Sequence, residues 1–559
     1  MATQKTESVR SADRVVEGLA AGGVKYVFAV PGGKIDQVYD ALADSDIQVV
    51  LCRHEQNAAF MAAAMGRITG TPGVVLATSG PGTSNLATGL VTANTEGDPV
   101  VALCGAVPRA SLLKRTHQSM NAEALLTSVT KFAGTVNDPD NVPEVVANAL
   151  RAAATEPRGA AAIVLPNDVM AAPTAKQAAR SLPIGEMGAA PGADIERAVQ
   201  VIRSARRPVL LAGVRGADPA ACAAVRALLS ATPGLPVVET FQAAGVVSRE
   251  LEEHYLGRVG LFRNQPGDEI LGSADVVVTI GYDPVEYDPG LWNVSSPQII
   301  HIDTIPAQID NHYKPALELR GDVAATVKEI ATALKGLSIS KDYASDLAGQ
   351  RRALQEIDDV ARRGAHGPSG MNPAALVLHL RDHLDDDATV TSDVGSNYIY
   401  MTRHFRAWEP RHLLFSNGQQ SLGVGLPWAI AAALARPGKQ IVSISGDGGF
   451  LYSSMELDTA VRLGLTFTHI IMRDNSYDMV KFQQVLKFGR QFGVDLGDLD
   501  IVTYAASFGA HGHRVRTPEE FGPALTAALA EPGPSVVDVM VDYTHNTALY
   551  SELIDDPFE

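Results

Sequence analysis

Short apolar runs recur along this chain, each followed by a stretch whose apolar positions repeat at helical spacing. In the first third the runs fall at 26–30, 49–52, 73–77, 100–103 and 161–165. A second set lies at 209–211, 237–240, 276–280 and 299–302, and a third at 389–392, 413–415, 441–444, 468–472 and 536–541. Continuous rather than alternating apolar runs suit strands covered on both faces, so the pattern predicts α/β layers built on parallel sheets. The stretch 171–194 is rich in Ala, Pro and Gly without sustained periodicity and reads as a linker. A polar helical stretch at 350–363 leads into GAHGPSG at 364–370, a second linker. The expected organisation is a domain at 1–172, a linker at 173–194, a domain at 195–340, a linking region at 341–370 and a domain at 371–559. Each domain is expected to carry a central, mostly parallel sheet flanked by helices. No short-period repeat interrupts this scheme.

A length of 559 residues accommodates three such domains, and 46% hydrophobic with 19% charged residues leaves ample core. The net charge of −17 argues against a nucleic-acid surface, which needs clustered Lys and Arg. Cys52, Cys104 and Cys222 lie in apolar or Ala-rich stretches without metal-ligand spacing, which suits small core residues in a reducing compartment. The polar, partly acidic N-terminus is not a signal peptide, and no run is long enough to cross a bilayer. These features lead to the expectation of a cytoplasmic protein with neither membrane nor nucleic-acid partners.

The chemistry concentrates in two acidic turns. Gly446-Asp447-Gly448 follows the run at 441–444, and Asp474-Asn475-Ser476 follows the run at 469–472. In a parallel sheet both carboxylates emerge at the same carboxyl edge. Together with the backbone carbonyl of Ser476 they supply half an octahedron for Mg²⁺, which two diphosphate oxygens and a water complete. Gly448 and Gly449 let backbone N–H groups approach phosphate. The spacing weighs against two unrelated acidic turns. Two decoys fall away: Ser79-Gly80-Pro81-Gly82 lacks the third glycine of a dinucleotide loop, and the histidines show no paired metal spacing.

The spaced pair resembles the cofactor signature of thiamine diphosphate (ThDP) enzymes. Their chemistry also needs a carboxyl group hydrogen-bonded to N1′ of the aminopyrimidine, favouring the imino tautomer whose nitrogen removes the C2 proton. Glu55, at the end of an apolar run and the start of an Ala-rich helix, is the candidate; taken by itself it is equally a helix-start Glu favoured by the dipole. The wider match is to the acetolactate synthase family. VFAVPGGKID at 27–36, RHEQNAAFMAAAMGRITG at 53–70, TSGPGTSN at 78–85 and NTEGDPVVAL at 94–103 carry it in the first third. SNGQQSLGVGLPWAI at 416–430 and SGDGGFLYSSMELDTAVRL at 445–463 carry it in the last. HQSM at 117–120, RVGLFRNQPGD at 258–268 and IGYDPVEYDPGLWN at 280–293 are similar to the catabolic, pyruvate-specific branch. Biosynthetic relatives bind FAD in the middle domain and carry Arg-Phe-Asp-Asp-Arg where this chain has Gly281-Tyr282-Asp283-Pro284-Val285-Glu286, which implies no FAD requirement. Their Trp favouring 2-ketobutyrate corresponds to Gln483.

The resemblance makes the three domains pyrimidine-binding, middle and diphosphate-binding. It implies Glu55 as the activating acid and Asp447, Asp474 and the Ser476 carbonyl as Mg²⁺ ligands. Leu422, where Met is usual, is the wedge that bends ThDP; the Gln420 carbonyl and Leu422 N–H bracket the aminopyrimidine. Val394, Gly395, Ser396, Gly446, Gly448, Gly449, Asn475, Tyr477 and Met479 complete the cofactor surface. Gln118 lies near the reacting carbonyl, with His117 and Lys34 orienting a substrate carboxylate. Val480, Phe482 and Gln483 face the substrate, and Leu422, Met479, Val480 and Phe482 are expected to keep water out. The implied reaction joins two pyruvates into 2-acetolactate with loss of CO₂, in a homodimeric active unit within a homotetramer. Val394, Asn397-Tyr398, Ser476 and Lys481-Phe482 depart from the catabolic pattern. An acyloin synthase using a different carbonyl acceptor therefore stays open, as does a catalytically silent, cofactor-binding subunit.

Overall fold

The computed structural model describes residues 9–112, 114–179, 184–185, 187–260 and 265–546, which form two compact units. One takes the described residues of Met1–Gly185 together with Gly418–Gly438 and Leu451–Thr466; the other takes those of Glu186–Asn417, Lys439–Phe450 and Phe467–Glu559. The polar N-terminal residues 1–8, part of the 173–194 stretch (180–183 and 186) and part of the 258–268 motif (261–264) lie outside the described residues.

In the first unit the strands are β1 (Val9–Arg10), β2 (Tyr26–Ala29), β3 (Gln48–Leu51), β4 (Gly73–Ala77), β5 (Val100–Ala106), β6 (Phe132–Thr135), β7 (Ala160–Pro166) and β8 (Pro173–Thr174). β1 pairs antiparallel with β8; the other six form a parallel sheet in the order β3-β2-β4-β5-β7-β6. On one face Val27, Ala29, Val74, Leu76, Val101 and Leu103 pack with Val15, Leu19, Val146 and Leu150 of two helices. The helix Glu55–Thr69 is buried on nearly every side, which explains its run of alanines. A Cβ on Gly73 would lie 1.9 Å from the Ala62 carbonyl oxygen, and one on Gly66 2.2 Å from that of Pro99. Small residues thus bring the helix down onto the sheet, and the all-apolar helix Gly425–Ala435 packs on its other side.

The second unit holds two further six-stranded parallel sheets. Its strands are β9 (Pro208–Ala212), β10 (Val237–Glu239), β11 (Tyr255–Arg258), β12 (Val276–Ile280), β13 (Gln298–Asp303) and β14 (Leu317–Arg320), then β15 (Thr389–Ser392), β16 (Leu413–Leu414), β17 (Ile441–Gly446), β18 (Phe467–Arg473), β19 (His511–Val515) and β20 (Pro534–Met540). The first six run in the order β11-β10-β9-β12-β13-β14 and the last six in the order β16-β15-β17-β18-β20-β19.

Every expected run forms a strand, and β1, β6, β8, β11, β14 and β19 were not anticipated. All six are sheet edges. β6 reads FAGT and β19 HGHRV, both largely half-exposed or exposed, so neither carries the apolar run that marks a strand covered on both faces. The region 341–370, expected to link domains, contains a 23-residue helix, Lys341–Arg363, anchored by Tyr343, Leu347 and Ala361.

Candidate active site

In the first unit the chain leaves β3 and turns into the helix Glu55–Thr69, with His54 as N-cap; its Nδ1 accepts the Gln56 N–H at 3.1 Å. Glu55 is the first helical residue and is 9% exposed. Asn85 Nδ2 donates to Glu55 Oε2 at 3.0 Å. A Cβ on Gly82 would stand 3.3 Å from Glu55 Oε1, so the loop after β4 passes close over the carboxyl. Gln118 is half-buried in the left-handed region (φ 58°), against Gly80, whose φ is 67°. A Cβ on Gly80 would lie 3.2 Å from Gln118 Cα. Lys34 is half-buried, its backbone N–H pointing to Thr78 Oγ1 at 3.4 Å, whereas His117 is exposed. Gln420 is also left-handed, at φ 48°. Its segment is strapped down by Glu96 Oε1 accepting the Gly418 N–H at 2.8 Å, Gln419 Nε2 donating to Thr95 Oγ1 at 3.0 Å, and Ser421 Oγ lying 2.8 Å from Thr92 Oγ1. Leu422 follows, half-buried.

In the second unit β17 and β18 lie side by side, with Gly446 opposite Met472, so Asp447 and Asp474 leave the sheet at one edge. Asp447 is buried; its Oδ1 accepts the Gly448 N–H at 3.0 Å and its Oδ2 the Asn475 N–H at 2.8 Å. Asn475 is held at φ 57°. Burial, and next the charge of Asp474, pushes the Asp447 carboxyl up to about 7. Burial likewise raises Asp474, against the Ser476 hydroxyl and Lys481. Neither carboxylate has a salt bridge among the described residues. Ser476 pairs with Asp495 through flanking bonds, Tyr477 N–H to Val494 O and Leu496 N–H to Asn475 O, both 2.8 Å. In such a pair Ser476 gives no backbone group to the ladder; its N–H turns to Asp474 Oδ1 at 3.3 Å.

Around this edge the backbone is crowded. A Cβ on Gly448 would lie 2.6 Å from the Tyr477 ring, and one on Gly449 2.8 Å from Asp393 Oδ1. After β15, Val394 is buried and Gly395 adopts φ 134°. The Asn397 Oδ1, 3.0 Å from where a Gly395 Cβ would sit, is buried with no hydrogen-bond partner among the described residues. Among the described residues no group of three or more His, Cys, Asp and Glu side chains is placed to hold a metal. Two carboxylates without a salt bridge among the described residues, and a backbone oxygen outside the strand pairing, instead fit a hard divalent ion that takes its remaining oxygens from a phosphate ligand and water.

Asp478 and Asn546, which the sequence reading missed, join the expected Ser396 beside this turn: Ser396 Oγ donates to Asp478 Oδ2 at 2.6 Å, and Asn546 Nδ2 donates to the same oxygen. Burial pushes the Asp478 carboxyl up to about 6. Asp478 opens the helix Asp478–Phe488. There Phe482 is 4% exposed and Met479 half-buried, both against the core of the last sheet. Val480 is 46% exposed and Gln483 half-buried. One residue advances a helix by about 100°, so Val480 turns away from the face that Met479 and Phe482 share.

In the middle sheet the strand order reverses between β9 and β12, the place where open α/β sheets bind ligands. Here the chain fills it. A Cβ on Gly213 would meet Tyr282 Cα at 2.4 Å, and Arg215 bonds Asp303 at 2.8 Å and Asp283 at 3.1 Å. Glu286 Oε2 accepts the Val214 N–H at 2.8 Å and Oε1 the Thr240 hydroxyl at 2.7 Å. Burial pushes the Glu286 carboxyl up to about 7, above its ordinary 4.5. Its contribution to stability is therefore complete below the ordinary value and lost as pH rises through the folded one, over a range on the order of 3 kcal/mol. Glu286→Gln cannot titrate. The melting-temperature difference, wild type minus variant, is expected to fall between about pH 5 and pH 8; parallel curves would contradict the assignment.

Residues 9–125 match the family described as "Thiamine pyrophosphate enzyme, N-terminal TPP binding domain", 195–330 its central domain and 393–539 its C-terminal TPP binding domain. The chain is 48% identical to "Acetolactate synthase" of Bacillus subtilis (strain 168), over 100% of this chain and 98% of that protein. It is 44% identical to "Acetolactate synthase, catabolic" of Raoultella terrigena, over 97% of each. With "Acetolactate synthase isozyme 2 large subunit" of Escherichia coli (strain K12) the identity is 30% over 96% of each. The three domain matches, the parallel sheets and these whole-length likenesses lead to one conclusion: the chain belongs to the acetolactate synthase family of ThDP-binding enzymes.

Proposed function

We propose that this enzyme condenses two pyruvates into 2-acetolactate and CO₂ with ThDP and Mg²⁺. The observation that carries the reading is the pair Asp447, buried, and Asp474, half-buried, set at one sheet edge with no salt bridge to either among the described residues. The likeness to acetolactate synthases along the whole chain supplies the substrate class.

Bound ThDP supplies an acidic ring carbon that adds to a keto group and a cationic ring that takes up the electron pair left by CO₂. Asp447, Asp474 and the Ser476 carbonyl hold the cation, with Asn475 fixing Asp447 through its N–H. The backbone at Gly448 and Gly449, and the turn Val394–Ser396, would meet the diphosphate. Glu55 holds a proton at the pyrimidine nitrogen, and Asn85 fixes the carboxyl from one side. Gln420 and Leu422 would bracket and wedge the cofactor ring. Gln118 presents its amide to the reacting carbonyl, while Lys34 and His117 orient the carboxylate. The outer side of the helix Asp478–Phe488, with Val480 and Gln483, faces the acceptor and excludes water; Phe482 braces it from the core.

The active unit is a homodimer within a homotetramer, Glu55 of one copy serving cofactor held by Asp447 of the other. The self-filled crevice of the middle sheet supports a reaction without flavin. No described helix is long and apolar enough to cross a membrane. The three buried free cysteines support a cytoplasmic location. The decisive test is product identification with purified enzyme, ThDP, Mg²⁺ and pyruvate alone. Acetolactate as the main product is expected. Its absence, with an acyloin appearing only when another carbonyl acceptor is added, would overturn the reading in favour of an acyloin synthase.

A further inference from the structure

Glu456 is wholly buried, yet it carries a carboxylate into the segment that presents Glu55. Its Oε1 accepts the backbone N–H of Arg53 at 3.0 Å and of His54 at 3.1 Å, and the Asn57 side-chain amide at 3.1 Å. Its Oε2 accepts the Arg53 N–H at 3.2 Å and the Thr459 hydroxyl at 2.7 Å. Arg53 and His54 are the two residues before Glu55, and Asn57 lies two beyond it. Thr459 and Arg462 also donate to the carbonyl of Leu51, the last residue of β3. The chain is thereby fastened on both sides of Glu55 by a segment some four hundred residues further on.

A carboxylate in a dry interior is costly unless its oxygens are met by donors. Here they are met by four donors, and two of them are backbone amides just ahead of the helix. Those amides lie outside the helix's own ladder and need an acceptor. The result is a clamp on the backbone from which the Glu55 side chain springs. Asn85 and Gly82 restrain the carboxyl tip; Glu456 restrains its root.

We propose that Glu456 is a positioning residue, locking the backbone at Arg53–His54 so that the Glu55 carboxyl is aimed for proton transfer with the cofactor. The proposal rests on Glu55 being the activating acid. It differs from a purely structural bolt in one respect: disturbing the clamp slows cofactor activation even when fold, assembly and cofactor affinity are intact.

Three variants and two measurements test it. Amide hydrogen exchange on the cofactor-free enzyme reads Arg53 and His54; acid-quenched deuterium exchange at the cofactor's C2 reads activation apart from turnover. Glu456→Ala is expected to lower both amide protection and C2 exchange by about tenfold or more, with ThDP affinity and assembly state unchanged. Glu456→Gln is expected to stay within about threefold of wild type in both. Its amide oxygen still accepts from Arg53, His54 and Asn57; its NH₂ meets the rotatable Thr459 hydroxyl and gives up only the second, longer Arg53 contact at 3.2 Å. If Glu456→Ala does not fold, Glu456→Asp carries the same expectation, since it keeps the charge but draws it back by a methylene. Normal C2 exchange in a folded Ala or Asp variant overturns the proposal, whether or not amide protection is lost. A Gln variant as slow as Ala also overturns it. Glu55→Gln serves as the control: normal C2 exchange there removes the role assigned to Glu55, a failure distinct from that of the clamp.

Discussion

Glu55→Gln is expected to lower acetolactate formation by about 10²–10³-fold while leaving fold, assembly and cofactor affinity nearly unchanged. The substitution is isosteric, and the amide oxygen still accepts from Asn85 Nδ2, now 3.0 Å from Oε2. What it removes is the acid proposed to share a proton with the pyrimidine nitrogen. Stability should move little, because Glu55 forms no salt bridge among the described residues and its neighbours, Gly82 and Asn85, contact a side chain of unchanged shape. Steady-state kinetics, a melting curve and cofactor titration check this together. Turnover within about threefold of wild type would remove general acid–base work from Glu55. A collapse in stability would instead place the residue among the structural carboxyls.

The pair of acidic turns was legible because it sits where the sequence signal is strongest. β17 and β18 are central strands, buried on both faces, and each is followed by an acidic residue at the same sheet edge. Edge strands such as β6 and β19 were not legible, since an edge needs no continuous apolar run. Nor were the partners that fix the chemistry in place. Asn85 reaches Glu55 across 30 residues and Glu456 reaches Arg53 across 403. Local periodicity carries no information over such separations.

A third kind of information lies in the backbone. Among the described residues the non-glycine positions with positive φ are Gln118, Ser296, Arg411, Gln420 and Asn475. Three of these are candidate site residues chosen for other reasons. Asn tolerates the left-handed region, but Gln has no special liking for it. A residue held there costs free energy that the surrounding structure must overcome, and such strain gathers at functional sites. At Gln118 the neighbouring Gly80 makes room for it. The composition of the loops gave no hint of this.

Asp447→Asn is expected to abolish most of the thermal stabilisation that ThDP and Mg²⁺ together confer on the wild type. A ligand that binds only the folded state at a hundredfold over its dissociation constant adds about 2.7 kcal/mol. In the wild type that gives a rise in melting temperature of several degrees, reversed by a chelator. The Asn side chain removes the formal charge at the cation. It also turns an NH₂ toward either the Gly448 or the Asn475 N–H, the two donors that Asp447 accepts from. The Asp474 carboxylate and the Ser476 carbonyl are then left to hold the ion by themselves. An undiminished, chelator-sensitive shift in the variant would take Asp447 out of the metal site. The same variant tests the assembly. Mixed with Glu55→Gln, it would form, in the proposed assembly, dimers in which one site pairs an intact Glu55 with an intact Asp447 from the other copy. Random mixing should then restore about a quarter of wild-type activity from two nearly inactive proteins. No recovery, with mixed dimers demonstrated, would mean that both groups serve one site from the same chain.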